Sequence, residues 1–413
     1  MRKRVVITGL GCISPLGNSV DEAWQALMAG KTGAGPITHF DASQHKTKFA
    51  CEVKGFEPAA LFGGREARRM DRFTQFALAA ARQALDNSAL TVDDSNRDRI
   101  GVVVGSGIGG IGTLAEQVAV LAEKGPDRVS PFLVPMMISD TAAGMTAIHL
   151  GLRGPNMAVV TACASGNNAI GEATEMIRRG AADVMLAGGA EAAITPITIA
   201  GMNVMGALST RNDDPLTASR PFDKTRDGFV MGEGGVMLVL ESLEHARARG
   251  AAILAEITGY GTTDDAYHVS APAENGSGAA KCMQIAIADA GLNVTDIDYI
   301  NAHGTSTPLN DKSETAAIKT VFGEQAYKVA VSSTKSMTGH MIGAAGAMEA
   351  LICTLTFKHN ILPATINYAN PDPDCDLDII PNKPRPANPR HVMSNSFGFG
   401  GHNATLVFSR FEE

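Results

Sequence analysis

Short apolar segments rich in β-forming residues alternate with helical segments along the entire chain. This alternation is typical of an α/β protein whose strands are buried in a mostly parallel sheet. Many of the 44 glycines directly follow the apolar segments, where the backbone must turn tightly. The predicted strands are 5–8, 100–104, 158–160, 184–186, 235–240, 297–300, 329–331, 392–393 and 404–408.

The chain also carries a weak internal repeat. The pentapeptide ITGLG at 7–11 recurs as ITGYG at 257–261, and each copy precedes an alanine-rich helical segment and an apolar strand. The shared order predicts two related halves, 1–250 and 251–413, with insertions that enlarge the first half. We therefore expect a duplicated architecture in which two sheets pack together under layers of helix.

Composition and charge exclude several classes of protein. The 413 residues are 45% hydrophobic, and their formal net charge of −8 is opposite in sign to that of a nucleic-acid binder. No apolar run is long enough to span a membrane. The basic start of the chain resembles a signal peptide, but glycines interrupt its short apolar stretch, so a buried first strand is the favoured interpretation. The six cysteines lack paired spacing, which predicts free thiols, no structural zinc site and a cytoplasmic location.

One cysteine is placed for nucleophilic chemistry. Cys163 lies in the segment TACASG at 161–166, after an apolar strand and before a helical pattern that starts near Asn168. The free N–H groups and positive dipole end of a helix N-terminus stabilise a thiolate and an oxyanion. A lone cysteine is usually a buried, inert residue, but the strand–turn–helix context favours a nucleophile.

Two histidines occupy equivalent positions in the second half. His303 follows the strand 297–300, and His340 follows the strand 329–331 and a polar segment. Open parallel sheets bind ligands at the carboxyl ends of their strands, so Cys163 and both histidines are predicted to meet in one pocket. A single histidine more often has a structural role, but one cysteine and two histidines that each follow a predicted strand favour a catalytic set.

Two glycine-rich segments invite comparison with nucleotide-binding loops. The segment FGFGG at 397–401 joins two short strands and brings backbone N–H groups near a ligand, but no Gly-Lys-Ser/Thr follows it. The segment GSGIGG at 105–110 matches a dinucleotide fingerprint only loosely, and the acidic residue that such a site needs on the next strand is missing. We therefore expect no nicotinamide cofactor.

A cluster of arginines stands out on a chain of negative net charge. Arg65, Arg68, Arg69 and Arg72 recur at helical spacing. They can form an ordinary solvated helix surface or a docking face for an acidic partner. The sequence alone leaves both interpretations open.

These segments resemble the β-ketoacyl-acyl-carrier-protein synthases, most closely the synthase II group of bacterial fatty-acid synthesis. The resemblance covers essentially the whole chain. It rests on VVITGLG (5–11), TACASG (161–166), NAHGTSTPLND (301–311), STKSMTGHMIGAAGAMEA (333–350) and NSFGFGGHN (395–403). It implies the thiolase fold, a duplicated α-β-α-β-α five-layer structure with two mixed, largely parallel sheets, assembled as a homodimer.

The resemblance also implies a reaction. An acyl group held as a thioester on Cys163 would undergo decarboxylative Claisen condensation with malonyl-acyl-carrier protein. The products would be CO2 and the β-ketoacyl-acyl-carrier protein of fatty-acid elongation. The implied partners are acyl-carrier protein and its acyl and malonyl thioesters, and no metal or redox cofactor is needed for the chemistry.

Individual residues acquire roles from the same resemblance. His303 and His340 would support malonyl decarboxylation, and the amides of Cys163 and Phe399 would form the oxyanion hole. The other implied residues are Lys335 with Glu349 for organising the site, Ile108, Thr305, Thr307, Phe399 and Gly400 for substrate binding, Arg65, Arg68 and Arg69 for carrier docking, and Asn301, Glu314, Glu349, Ser394 and Asn395 for a structural sodium or potassium ion. His402 departs from the threonine common in the family, but that turn works through its backbone.

Four alternatives share parts of this pattern. A thiolase would use a second catalytic cysteine, which the late glycine-rich segment lacks. The chain-initiating synthase III uses cysteine, histidine and asparagine, so His340 disfavours it. A non-catalytic, chain-length-determining subunit of a polyketide synthase usually lacks the nucleophile, and Cys163 argues against it. An active polyketide ketosynthase has the same site chemistry and remains open.

Overall fold

The computed structural model describes residues 2–412 as an α/β structure. Met1 and Glu413, the outermost positions of the two predicted halves, lie outside the described residues. The strands are β1 (Val5–Ile13), β2 (Gly35–Pro36), β3 (Phe49–Ala50), β4 (Ile100–Gly105), β5 (Asn156–Val159), β6 (Val184–Glu191), β7 (Gly234–Ser242), β8 (Ala255–Asp264), β9 (Tyr299–Asn301), β10 (Ala330–Ser332), β11 (Ile361–Leu362), β12 (Arg385–Pro386), β13 (His391–Gly398) and β14 (His402–Ser409).

The helices surround the strands. They are α1 (Val20–Met28), α2 (Pro58–Phe62), α3 (Gly64–Ala67), α4 (Arg72–Ser88), α5 (Ile111–Lys124), α6 (Leu133–Met137), α7 (Thr141–Leu150), α8 (Ser165–Arg178), α9 (Pro196–Met205), α10 (Leu243–Ala248), α11 (Ser277–Asp289), α12 (Pro308–Phe322), α13 (Lys335–Thr338) and α14 (Ala345–His359). Among residues 2–412, no helix combines the length and apolar character needed to cross a bilayer.

A ten-stranded sheet has the order β10-β9-β13-β14-β8-β1-β7-β6-β4-β5. Read outward from its centre, β1, β7, β6, β4 and β5 match β8, β14, β13, β9 and β10 in order and direction. In each set, two antiparallel pairs lie inside and two parallel pairs lie outside. The repeated pentapeptides lie in β1 and β8, at equivalent places in this duplicated order.

The two predicted sheets are therefore the five-stranded halves of one continuous sheet. They join where Val5 of β1 pairs with Ile257 of β8. The resemblance implied largely parallel sheets, but each half contains two parallel and two antiparallel strand pairs. The glycine-rich turn at 399–401 explains part of this difference, since a turn that short can connect only antiparallel strands such as β13 and β14.

Glycines in the repeated pentapeptide let a helix pack tightly on each half. A Cβ atom on Gly11 would collide with the Ala80 carbonyl of α4, and one on Gly261 would collide with the Cys282 carbonyl of α11. Both helices thus approach their strands at matching positions. The pentapeptide recurs because the same close contact between helix and strand recurs.

Two buried helices bring the functional segments together. Helix α8 follows Cys163, helix α14 follows His340, and α14 contacts strands of both halves. A Cβ atom on Gly166 would collide with the backbone nitrogen of Ala347, so small residues let the two helix N-termini meet. The polar segments that precede these helices consequently converge.

Candidate active site

Cys163 lies in a 3-10 turn, Ala162–Ala164, that leads directly into α8. Ala162 has a φ of +50°, and Ser165 closes the turn by donating to the Ala162 carbonyl at 2.6 Å. An equivalent 3-10 turn, Ile342–Ala344, leads into α14, and Ile342 has a φ of +46°. The turn that contains Cys163 and the turn after His340 are therefore copies of one local structure.

The structure brings the cysteine and both histidines together. His340 Nε2 lies 3.0 Å from Cys163 Sγ, and the rings of His303 and His340 are 5.4 Å apart at an angle of 86°. One donor atom from each of the three residues lies within 4.8 Å of the others. All three side chains are buried, and all three line the same cavity.

Hydrogen bonds donated by backbone N–H groups hold the loops of His303 and His340 in place. The His340 N–H donates to the Val230 carbonyl at 2.7 Å. The buried carboxylate of Glu314 accepts the N–H groups of His303 and Gly304, each at 2.8 Å. Glu314, expected only as a cation ligand, thus anchors the loop that carries His303.

Burial sets the protonation of Cys163, His303 and His340. It lowers the pKa of both His303 and His340 well below the usual range, and the Lys335 ammonium lowers both further. The imidazoles are therefore neutral at physiological pH. Burial raises the pKa of the Cys163 thiol to about 12, although Lys335 and the Phe399 amide oppose this shift. The resting site is thus a thiol beside two neutral imidazoles.

Lys335 lies behind this set rather than in the cavity. Its ammonium forms an ion pair with Glu349, and both side chains are only 2% exposed. Burial raises the pKa of Glu349 to about 7, and the Lys335 charge opposes this shift. Lys335 acts on the site through its charge and not by contact with the cavity.

The turn between β13 and β14 covers Cys163. A Cβ atom on Gly398 would crowd the Thr161 carbonyl and the Cys163 nitrogen, so glycine permits this approach. The Phe399 amide lies near enough to Cys163 to lower the pKa of its thiol. Phe399 lines the cavity, whereas Gly400 ties the turn to a neighbouring loop by donating its N–H to the Val269 carbonyl at 2.8 Å.

A cavity of about 530 Å³ extends from the three reactive side chains. Thr305 and Thr307 line it, with their hydroxyl oxygens 3.0 Å apart. Ile108 lines it together with Met202 and Phe229, which the sequence had not singled out. A cavity with an apolar wall and a few polar groups suits a flexible acyl chain and its linker.

The residues expected to hold an alkali cation lie close together and leave oxygens unpaired. The side chain of Asn301 and Oε2 of Glu349 have no hydrogen-bond partner among the described residues, although both are buried. Ser394 pairs with Asn301 across neighbouring strands, and the next residue, Asn395, donates from Nδ2 to Glu314 Oε1 at 3.2 Å. Unpaired buried oxygens fit a hard cation held by oxygen ligands.

The arginine cluster divides in two. Arg65 and Arg68 are exposed at α3, and Arg69 is half-buried beside Glu66 and the Phe132 ring. Arg72 instead points inward and forms two hydrogen bonds with the buried carboxylate of Glu233. The helical spacing breaks between them because Asp71 caps the start of a new helix, α4.

Glu191 is a buried site residue that the sequence reasoning missed. Its carboxylate accepts the N–H groups of Gly107 at 2.6 Å, Ile108 at 3.3 Å and Gly343 at 3.0 Å. It thereby joins the segment that carries Ile108 to the turn that follows His340. A charged residue at the end of the apolar strand β6 was the available signal.

Comparisons with known proteins agree with this geometry. The family model "Beta-ketoacyl synthase, N-terminal domain" matches residues 2–246, and "Beta-ketoacyl synthase, C-terminal domain" matches 254–369. The chain is 53% identical over 411 residues to 3-oxoacyl-[acyl-carrier-protein] synthase 2 of Synechocystis, covering 100% of this chain and 99% of the relative. It is 54% identical to the protein of the same name from Staphylococcus aureus, covering 99% of both chains.

Solved structures of ketosynthases are similar over the whole length. A β-ketoacyl synthase from Burkholderia phymatum has a TM-score of 0.93 and 39% identity, covering 99% of this chain and 100% of the other. The ishigamide ketosynthase/chain length factor has a TM-score of 0.94 and 40% identity, covering 100% of both chains. From the matched family models, the full-length relatives and the convergence of cysteine and histidines, we conclude that the chain belongs to the β-ketoacyl synthase family.

Proposed function

We propose that this protein is a β-ketoacyl-acyl-carrier-protein synthase of type II. It condenses an acyl group with malonyl-acyl-carrier protein and releases CO2 and β-ketoacyl-acyl-carrier protein in fatty-acid elongation. The observation that carries the proposal is the distance of 3.0 Å between Cys163 Sγ and His340 Nε2, with His303 beside them in a deep cavity. The names of the relatives that are 53% and 54% identical support it.

The first half-reaction transfers the acyl group. Cys163 Sγ attacks the carbonyl carbon of the incoming acyl thioester while its proton passes to the neutral imidazole of His340. The amides of Cys163 and Phe399 stabilise the oxyanion. The carbon–sulfur bond to the carrier breaks, and the departing sulfur takes the proton from His340.

The second half-reaction extends the chain. Malonyl thioester enters and loses CO2, and the electron pair of the broken bond forms an enolate. N–H groups of His303 and His340 donate hydrogen bonds to the enolate oxygen and so stabilise its negative charge. The enolate carbon attacks the acyl carbonyl carbon, the carbon–sulfur bond to Cys163 breaks, and the freed thiolate takes up one proton from solvent.

Other residues support these steps. Lys335 is a positioning residue whose charge adds to burial in lowering the pKa of the two imidazoles. Thr305 and Thr307 bind the phosphopantetheine arm, and Ile108 limits the acyl end of the cavity. Phe399 gates the cavity, while Gly400 fixes the gate to the Val269 loop.

In this proposal, the protein binds acyl-carrier protein and forms a homodimer. Acyl-carrier protein docks on Arg65, Arg68 and Arg69, whose positive charges suit an acidic surface. A solved structure with 35% identity and a TM-score of 0.92 is a ketosynthase in complex with its acyl-carrier protein. Homodimer formation is supported by β5, an edge strand that leaves Met157 exposed.

Three further features belong to the proposal. The chain divides into an N-terminal half, 1–250, with the nucleophile and a C-terminal half, 251–413, with both histidines, which the duplicated strand order supports. A structural sodium or potassium ion lies near Asn301 and Glu349, supported by their unpaired buried oxygens. The enzyme works in the cytoplasm, where a free nucleophilic thiol persists, and its six free cysteines support this.

Polyketide extension is the second candidate. Two solved relatives at 35% and 40% identity are named as polyketide or ishigamide ketosynthases. The site chemistry of that reaction is the same. The higher identity to proteins named synthase 2 favours fatty-acid elongation.

Turnover of defined carrier substrates tests the proposal. The purified protein is incubated with acyl-acyl-carrier protein and malonyl-acyl-carrier protein, and both CO2 and the β-ketoacyl product are measured. We expect product from the wild type and from the control variant Cys375→Ser, and none from Cys163→Ser. A wild-type protein that makes no product without a second subunit would contradict the proposal.

A further inference from the structure

We propose that Cys163, His303 and His340 form a binding site for Zn²⁺, and that the bound metal holds the enzyme in a reversible inactive state. The site goes beyond condensation, which requires no metal. Its inhibitory effect rests on the proposed function, whereas metal binding does not. The two can therefore be tested separately.

The donor atoms already lie at nearly the spacing that zinc requires. One donor atom from each residue lies within 4.8 Å of the others, and Cys163 Sγ is 3.0 Å from His340 Nε2. Tetrahedral zinc with ordinary bond lengths to sulfur and nitrogen separates its ligand atoms by roughly 3.3–3.6 Å. Binding thus changes the distances between donor atoms by up to about 1.5 Å, which side-chain rotation can supply.

The donor set and its surroundings suit zinc chemically. One thiolate and two imidazoles leave a fourth position open toward the cavity, where water can bind. Coordination forms a zinc–sulfur bond and releases the thiol proton to solvent. Soft sulfur combined with imidazole nitrogen favours zinc over the hard cations magnesium and calcium.

Two features make the site inhibitory rather than structural. The Lys335 ammonium is close enough to affect both imidazoles, and its positive charge opposes a divalent cation. Affinity is therefore lower than at a dedicated zinc site. The metal also occupies the sulfur that must attack the thioester, so metal binding and acylation of Cys163 exclude each other.

Cobalt spectroscopy provides a readout that does not depend on activity. Metal-free protein is titrated with Co²⁺, and Zn²⁺ is then added with a chromogenic chelator to measure stoichiometry and affinity. We expect a thiolate-to-cobalt charge-transfer band, displacement of cobalt by zinc, and one metal per chain. Cys163→Ala and His303→Ala should each lose at least about tenfold in affinity.

Two controls separate this site from adventitious binding. Cys375→Ala and His149→Ala remove a thiol and an imidazole outside the cluster and should bind metal as the wild type does. Alkylation of Cys163 with iodoacetamide should abolish the charge-transfer band in an otherwise unchanged protein. A missing thiolate band, or equal metal affinity in Cys163→Ala, would overturn the proposal.

Activity completes the test. Zn²⁺ should inhibit condensation, a chelator should restore it, and prior acylation of Cys163 should protect the enzyme during the first minutes. Metal binding in a protein without condensing activity would refute the proposed function and leave the site standing. Full condensing activity with no metal binding would refute the site alone.

Discussion

His340 Nε2 lies 3.0 Å from Cys163 Sγ, although 177 residues separate the two in the chain. Cys163 lies within one 3-10 turn and His340 precedes another, and each turn begins with a residue of positive φ, Ala162 in one half and Ile342 in the other. The duplicated turns lead into α8 and α14, whose N-termini pack closely together. The reactive pair is therefore a consequence of the duplicated fold.

Replacing His303 should separate the two half-reactions. His303→Ala removes one donor to the enolate oxygen but leaves the pair formed by Cys163 and His340. We expect condensation to fall by about 10²–10³-fold, while acylation of Cys163 proceeds and the acyl-enzyme accumulates. Product formation and intact mass, followed in parallel, measure the two steps. Equal losses in both steps would contradict the separate roles.

His340→Ala provides the comparison for that variant. It removes both the enolate donor and the group that takes the thiol proton, so both half-reactions should slow. Acyl-enzyme should form more slowly than in His303→Ala under the same conditions. A His340 variant that acylates at the wild-type rate would contradict proton transfer to this imidazole.

The buried pair of Lys335 and Glu349 should contribute to stability only as a pair. Lys335→Met leaves an uncompensated buried carboxylate and should lower the free energy of unfolding by about 3–5 kcal/mol. The double variant Lys335→Met with Glu349→Gln removes both charges and should recover part of that loss. Urea unfolding measures both. A double variant less stable than the single one would contradict the pairing.

Ile108 should limit acyl length. Its side chain lines the cavity with Met202 and Phe229, so Ile108→Phe fills space that a long chain needs. We expect acylation by long-chain substrates to fall at least about tenfold, since a misfit in a packed apolar pocket costs about 1–3 kcal/mol. Acetyl transfer should be unaffected and serves as the internal control. Equal losses at all chain lengths would indicate a general disturbance instead.

Charge reversal at α3 should weaken carrier binding. Arg65→Glu with Arg68→Glu reverses two exposed charges, each worth up to about 1 kcal/mol in a salt bridge, so affinity should fall about tenfold at low salt. Added salt should reduce the difference. The matched control Arg390→Glu changes an exposed arginine elsewhere on the surface. Binding that responds equally to both changes would contradict a specific dock.

Glu191 should make stability depend on pH. Burial raises the pKa of its carboxyl from 4.5 to about 7, so the folded protein retains a proton that the unfolded chain releases. The contribution of Glu191 to the free energy of unfolding should therefore fall as pH rises from about 4.5 to 7, opposite in sign to that of His303 and His340, whose pKa values burial lowers. Glu191→Gln should reduce the dependence of the free energy of unfolding on pH. Glu314 and Glu349, whose pKa values are also raised, should still contribute a dependence of the same sign in that variant. Urea unfolding across this range gives the slope.

Local sequence predicted where the cysteine and the two histidines lie, and the structure brings them together. The turn that carries Cys163 was predictable because a strand, a turn of small residues and a helix follow one another without interruption. The duplicated strand order was predictable because the glycines in ITGLG and ITGYG are required by the same helix contact. Features of this kind depend on neighbours in the chain.

Features that depend on distant neighbours were not predictable. The two halves share one sheet because β1 and β8 meet edge to edge, and no local pattern encodes that pairing. Arg72 does not belong to the expected basic surface, because it donates a hydrogen bond to the buried carboxylate of Glu233, which lies far along the chain. Glu191 joins Ile108 to Gly343 through the interior, and only the folded structure reveals both partners.

Intact mass measurement after incubation with acyl-acyl-carrier protein tests the central claim most directly. The wild-type chain should gain the mass of one acyl group, fragmentation should locate that group on Cys163, and hydroxylamine should remove it as a thioester. Addition of malonyl-acyl-carrier protein should then clear the adduct and yield β-ketoacyl product. An acyl group found on another residue, or a Cys163 adduct that malonyl-acyl-carrier protein never clears, would contradict the account.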